Sequence, residues 1–323
     1  MFKTSQLHNN APSQLHNNAP SQLHNFTTSQ LHNNAPSQLH NFTTSQLNLL
    51  FVANKPMYIS SNKFLNQLKR KYGIKKMGFS GTLDPFACGC LIIASGQYTK
   101  LFRFLKKTPK TYIATLMLGA YSPTLDIEKI EKIENTAGFS KEQITDILKS
   151  FSGKQKQLPP KYSAKKINGQ RAYKIREKVE GGREKEFLNK EIDIEIFDIE
   201  LINYSHPFIT FKASVSEGTY IRSLGFDIAQ KLGVNGALTY LERINEGKFH
   251  YECEKLLNPL EYLDLEENFY LNDIQNLFLG KKLNINDFEI KKNGTYYVKY
   301  DKYFAIIEIN EEVKYILNRI EQC

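Results

Sequence analysis

Tryptophan is absent from the 323 residues, cysteine and methionine number four each, and only two of the seven histidines, His206 and His250, lie beyond residue 48. Each shortage excludes a chemistry. Cys88, Cys90, Cys253 and Cys323 are too few and too scattered for a disulfide framework, so a reduced, cytoplasmic setting is the simplest expectation. Cys88-x-Cys90 has no second pair to complete a zinc site. Two histidines give poor support for a Ser-His-Asp triad. The chain has no Walker A loop, no dinucleotide-binding glycine fingerprint and no His-Glu-x-x-His, so no metal and no cofactor is expected. No apolar run approaches the roughly 18 residues of a membrane span, and residues 1–48 lack the apolar stretch of a secretory signal. Chemistry here must lean on carboxylates, arginine, lysine or tyrosine.

Apolar residues make up 41% of the chain and charged ones 24%, enough for a core, and the length allows two domains with a tail. Residues 1–48 are an octapeptide repeat. Ser5-Gln-Leu-His-Asn-Asn-Ala-Pro12 recurs from Ser13 and Ser29, and a variant ending Asn-Phe-Thr-Thr starts at Ser21 and Ser37. One leucine and at best one phenylalanine per unit cannot offset the entropy of ordering it. A disordered tail is expected, its histidines copies of a repeat rather than ligands. Formal net charge is +9 and the tail's one charged residue is Lys3. Between Lys154 and Arg183, ten basic residues face only Glu177 and Glu180, a segment that holds the whole excess of residues 49–323 and leaves the remainder balanced. Tyr162 and Tyr173 are interleaved there. Such a focused patch suits phosphate contact and base stacking, so nucleic acid is the expected partner.

Coarse patterning mixes strands and helices without a βαβ rhythm, which predicts α+β rather than a doubly wound sheet. Asn48–Ala53 is strand-like. Ser60 or Ser61 caps a helix running to about Tyr72, with Phe64, Leu65 and Leu68 inward and Gly73 as its stop. Leu91–Ala94 reads as a short buried strand and Thr111–Leu118 alternates, with Tyr112 on the apolar face. Ser140 and Gln143 form a capping box. Ile192–Ile196 and Ile209–Val215 alternate, and a helix spans about Ile221–Leu232. Residues 256–323 look like a small appended unit, clearest in two strands around Tyr296–Tyr300 and Phe304–Ile309. The expected organisation is a tail over 1–48, a body over 49–255 and the small unit over 256–323.

Gly78-Phe-Ser-Gly-Thr-Leu-Asp84-Pro-Phe-Ala-Cys-Gly89 predicts a tight, preset loop holding one aspartate. This stretch closely resembles the aspartate motif of the tRNA pseudouridine-55 synthases, the bacterial TruB class. Other resemblances follow in order: Lys55-Pro56 with Ser60-Ser61-Asn62, Lys110-Thr111-Tyr112, Pro160-Lys-Tyr162-Ser163-Ala164 with Gly169 and Ala172-Tyr173, Gly218-Thr-Tyr220-Ile-Arg222 and, more loosely, Leu241-Glu-Arg243-Ile244. They cover residues 50–250, and their number and order make the resemblance specific.

The resemblance implies a pseudouridine synthase-like fold, a mixed, mainly antiparallel sheet flanked by helices, with a small C-terminal unit like a PUA RNA-binding domain. It implies isomerisation of uridine 55 in the T loop of tRNA by base flipping. Asp84 would be the nucleophile, toward ribose C1′ or the uracil ring. Arg222 would be its cation, and the Tyr112 ring the platform under the flipped base. Tyr220 would pack against the pocket or fill core, and Lys55 would support the Asp84 loop. Residues 154–183, with Tyr162, Lys165, Lys166 and Tyr173, would grip the T arm. Phe79 stands where the family commonly has histidine; it can wedge or stack into the vacated base position without hydrogen-bonding. A monomer is expected, with no membrane and no small-molecule cofactor. Two alternatives stay open: a non-catalytic tRNA-folding protein of the same ancestry, and a synthase acting on another RNA.

Overall fold

The computed structural model describes residues 47–160, 162 and 190–322, with the backbone of a short hairpin, Lys166–Ile167 and Gln170–Arg171. Residues 1–46 of the expected tail and most of the basic insertion, Lys165 and Tyr173 included, lie outside the described residues. For Lys166 only the backbone is described.

The body is built on β1 (Leu50–Lys55), α1 (Ser61–Tyr72), β2 (Met77–Ser80), β3 (Cys88–Ser95) and β4 (Lys110–Leu118). These are followed by α2 (Lys141–Lys149), β5 (Gly153–Gln157), β6 (Ile192–Ser205), β7 (Phe208–Val215), α3 (Ile221–Lys231) and β8 (Gly236–Glu246). One nine-stranded sheet runs β1-β3-β8-β4-β7-β6-β5, with β2 paired to β3 and Phe249–His250 to β8. Only the β3–β8 contact is parallel; the others are antiparallel. This is the mixed, mainly antiparallel α+β architecture expected.

Burial follows the period of two that a strand imposes. In β4, Tyr112, Ala114, Leu116 and Leu118 point into a core shared with α2 and α3, through Ile144, Leu148, Ile221, Leu224 and Ile228. β1 and β3 differ, being covered on both faces, so they read as continuous apolar runs. Phe51, Ala53, Leu91 and Ile93 pack under α1 with Phe64, Leu65 and Leu68. Their alternates Leu50, Val52, Ile92 and Ala94 share a cluster with Phe304, Ile306 and Ile320 of the C-terminal unit.

That unit is a sheet of β9 (Gly294–Tyr300), β10 (Tyr303–Ile309) and β11 (Val313–Glu321), edged by Glu266–Glu267 in parallel pairing with β9. Two strands were legible; β11 was not, because bulges against β10 break its alternation. The opposite face of β10, Ala305, Ile307 and Ile309, closes a second core on Leu277 and Phe288. The Tyr98 hydroxyl also donates to the Glu321 carbonyl at 2.9 Å, so this unit is docked on the body by both apolar and polar contacts.

The capping signals act as expected. Ser60 Oγ accepts from the Lys63 amide, and the Ser140–Gln143 box is reciprocal. Ser61, the alternative cap, has another use: its Oγ accepts from the Leu83 amide at 3.0 Å and donates to the Leu83 carbonyl at 2.9 Å. The residue beside Asp84 is thereby pinned to the start of α1.

Candidate active site

Asp84 sits in the loop joining β2 to β3, where β8 meets the edge of β3. The loop turns through Gly81 at φ +68° and re-enters the sheet at Gly89, φ +101°, where a Cβ would lie 2.3 Å from the Arg243 carbonyl oxygen. Only glycine fits that approach. Leu83 and Phe86 flank the aspartate and are buried in the same cluster as Tyr112. The Ala87 amide donates back to the Asp84 carbonyl at 3.1 Å. Lys55, fully buried, caps the arrangement from β1. Its Nζ donates to the carbonyls of Ile59 at 2.7 Å, Pro56 at 2.9 Å and Pro85 at 3.4 Å.

Arg222, in the first turn of α3, meets Asp84 with a planar fork. Nε lies 2.9 Å from Oδ2, and Nη2 donates to Oδ1 at 3.2 Å. Nη1 donates to the Thr124 carbonyl at 2.8 Å and to Asp126 Oδ2 at 3.2 Å, and the second Nη2 hydrogen goes to the Tyr162 carbonyl at 2.9 Å. All four Nη hydrogens have acceptors and Nε lies against Asp84 Oδ2, which fixes the plane of the guanidinium. Asp126 is in turn held by the Thr124 hydroxyl at 2.6 Å and the Glu128 amide at 3.0 Å. The turn carrying it places Leu125 at φ +62°, a conformation costing roughly 1–2 kcal/mol for a residue with a side chain. That backbone is held by β8, whose Leu238 amide donates to the Leu125 carbonyl.

Two carboxylates, Asp84 and Asp126, thus hold one guanidinium, with the charge of exposed Glu128 and the Lys55 ammonium beyond. Burial pushes the Asp84 carboxyl above its ordinary range; Arg222 pulls it down, Asp126 pushes it up, and Lys55 opposes more weakly. A third of the Asp84 side chain stays open, against 3% for Asp126. The geometry therefore gives one accessible, pre-aimed carboxylate and one buried carboxylate that anchors its cation. Burial also lowers the Lys55 ammonium to about 8, against the pull of Cys88 and Asp84.

Behind the loop lies a second ion cluster. Arg243 donates from Nε to the Cys90 carbonyl at 2.8 Å and from Nη2 to the Gly81 carbonyl at 2.9 Å, so it ties both ends of the Asp84 loop. It lies opposite Tyr112 in the β8–β4 ladder and interacts with that phenol. Glu246, with no exposed side-chain surface, takes Arg243 and Lys110 at 2.9 Å each.

The structure thus brings together Asp84, Tyr112, Arg222 and Lys55. Tyr220 is the N-cap of α3, half-buried, directly before the Arg222 turn. Tyr162 is exposed, with Lys129 Nζ 5.5 Å from its ring centre. Phe79 stands apart: half-buried, it packs with the cluster under α1 rather than with the residues flanking Asp84. Sequence reasoning missed Asp126. Ser122-x-Thr124-x-Asp126 reads as an ordinary capping turn, and Asp126 does cap one, over Ile127–Lys129. It also missed a second basic tract. Residues 55–110 carry twelve basic residues against Asp84 alone. The chain outside the insertion balances only as a sum of opposed blocks. Lys63, Arg70, Lys75, Lys76, Lys100 and Arg103 are exposed, and the backbone of Lys76 abuts Gly96 at the turn leading to Lys100.

Among the described residues no helix is long and apolar enough to cross a membrane. A family model described as TruB family pseudouridylate synthase (N terminal domain) matches residues 69–221. The tRNA pseudouridine synthase B of Sulfurovum sp. (strain NBC37-1) is 55% identical over 274 residues, covering 84% of this chain and 97% of that protein. The protein of the same name from Campylobacter concisus (strain 13826) is 52% identical over 277 residues, covering 85% and 100%. Among solved structures, a Cbf5-Nop10-Gar1 complex aligns with TM-score 0.57 at 17% identity over 86% of this chain and 84% of that one. An archaeal box H/ACA sRNP Nop10-Cbf5 complex aligns at 0.56 and 17% over 85% of each. At that identity the structures speak for the fold alone. With the sequence relatives added, the chain belongs to the TruB family of pseudouridylate synthases.

Proposed function

We propose that this family member isomerises uridine to pseudouridine at position 55 in the T loop of tRNA, with Asp84 as nucleophile. The observation that carries the reading is the open Asp84 carboxylate held bidentately by a buried arginine, itself anchored on Asp126. A nucleophilic carboxylate has to be ionised inside a pocket that disfavours charge. Arg222 supplies the opposing charge without consuming Asp84's open side.

In this reading the target base leaves its stack and the Asp84 loop takes its place beneath the ribose. An Asp84 oxygen bonds to ribose C1′ as the N1–C1′ bond breaks, or else adds to the uracil ring before that bond breaks. The freed uracil turns, C5 bonds to C1′ as the bond to Asp84 breaks and returns the carboxylate, the C5 proton leaves to a base, and N1 takes up a proton. Tyr112, backed by Arg243, offers the ring against which the base stacks, and its hydroxyl would assist that proton. Tyr220 lines the same end of α3. Phe79 would act through its exposed edge alone, since its ring is engaged under α1.

Substrate phosphates would meet two basic tracts, the insertion over 154–183 with Tyr162, Lys165, Lys166 and Tyr173, and the surface running from Lys63 to Arg103. Residues 49–255 would form the catalytic body and 256–323 a reduced PUA-like unit, the protein acting as a monomer on the T arm. Incubating the purified protein with unmodified tRNA and mapping every pseudouridine tests the assignment. Product at position 55 is expected. Product elsewhere, or binding with no product, overturns it.

A further inference from the structure

Among the described residues, four hydrogen bonds join the foot of the basic insertion to the start of α3, and one residue organises them. Gln157, the last residue of β5, is 3% exposed. Its carboxamide pairs with both backbone groups of Tyr220: the Tyr220 amide donates to Oε1 at 2.8 Å, and Nε2 donates to the Tyr220 carbonyl at 3.0 Å. Tyr220 is the N-cap of α3 and makes no side-chain cap bond to the helix, so a side chain from another strand sets where the helix begins. The next residues continue the seam. Ser223 Oγ donates to the Leu158 carbonyl at 2.7 Å, and Arg222 Nη2 donates to the Tyr162 carbonyl at 2.9 Å.

We infer that Gln157 is a positioning residue, coupling the placement of the insertion to the plane of Arg222 and through it to Asp84. This rests on the proposed reading. The physical link is short. One Nη2 hydrogen goes to Tyr162 of the insertion and the other to Asp84. A guanidinium is rigid and planar, so a shift of the foot tilts the fork away from the carboxylate. A buried amide with both ends paired to backbone resists such a shift, because breaking it leaves buried donors and acceptors unmet. RNA contact at the foot of the insertion would thereby bear on Asp84 through Tyr162 and Arg222.

The test compares Gln157→Met, which keeps length and loses both bonds, with Gln157→Glu, which still accepts from the Tyr220 amide but opposes its carbonyl. Single-turnover rate, KM for tRNA and the pH profile are read for each, with thermal unfolding as a check on folding. The rate is expected to fall about 10- to 100-fold in the Met variant and less in the Glu variant, with KM changed less than the rate. The acid limb should move to higher pH. The groups facing Asp84 are Arg222, Asp126, Glu128 and Lys55, and loosening Arg222 leaves burial and the two acids less opposed. A Met variant with wild-type rate overturns the inference. So does a loss matched by unfolded fraction with an unmoved acid limb. If the Met variant does not fold, Ser223→Ala, which removes only the bond to Leu158, decides it: a smaller loss with the same shift supports the coupling, and no shift refutes it. Absence of product from wild-type protein would instead defeat the functional reading.

Discussion

Two buried ion clusters lie on either side of the Asp84 loop, and their stoichiometry is opposite. At Arg222 one cation holds two carboxylates, Asp84 and Asp126, and Asp84 keeps a third of its side chain open. At Glu246 two cations, Arg243 and Lys110, enclose one carboxylate with no open surface. The first arrangement is under-compensated and leaves an acid ready to react. The second is closed and serves geometry, holding Gly81, Cys90 and Tyr112 in place. Burial alone does not mark a reactive group; excess charge of one sign with one open face does.

Breaking the two clusters should separate activity from stability. The largest expected effect is Asp84→Asn, with product formation down on the order of 10⁴-fold, the scale of losing a covalently acting member of a cooperating set. RNA binding should persist and the melting temperature hold or rise, since an acid pushed above its ordinary range is removed. A variant that unfolds instead would put Asp84 on the structural side. Glu246→Gln is the converse. Leaving buried Arg243 without its carboxylate, and Lys110 with only the exposed Glu217 at 3.7 Å, should cost about 3–5 kcal/mol of stability, while the folded fraction keeps nearly wild-type turnover; a catalytic defect at full stability would erase the distinction.

Charge neutralisation sharpens the comparison at the surface. Replacing Lys75, Lys76, Lys100 and Arg103 by glutamine should weaken RNA binding and reduce the salt slope by roughly 0.7–0.9 per lost phosphate contact, read by titration at several ionic strengths. An unchanged slope would leave the insertion as the sole basic contact.

Lys55→Met gives the smallest effect, and it lies in the pH dependence of stability. Folding lowers this ammonium from 10.5 to about 8, so the charged form is disfavoured in the native state. That cost is fully present below about pH 8 and fades as pH rises toward 10.5. Wild-type stability should therefore climb across that window relative to Lys55→Met. Parallel melting curves for the two proteins would show that Lys55 is not strained.

Much of the fold was legible. The strands of Thr111–Leu118 and Ile209–Val215, the helix ending at Gly73 and the Ser140 box carry simple periods and caps, and appear where the pattern places them. β8, the strand joining the two halves of the sheet, was not, because two register shifts interrupt its alternation and Arg243 and Glu246 are buried in it. The same disguise hid Asp126, whose local role as a cap is complete without any partner from α3.

By itself the sequence determined a glycine-flanked aspartate, an alternating strand bearing Tyr112, a late Arg222 and a family pattern linking them, because short-range backbone chemistry writes turns, caps and periods into neighbouring residues. Tertiary structure alone decided which acid stays open, which one anchors the arginine, and how Gln157, 65 residues before Arg222, fixes the helix that carries it. Those outcomes depend on burial and on hydrogen bonds between segments far apart in the chain, and no local pattern encodes a distance across a fold.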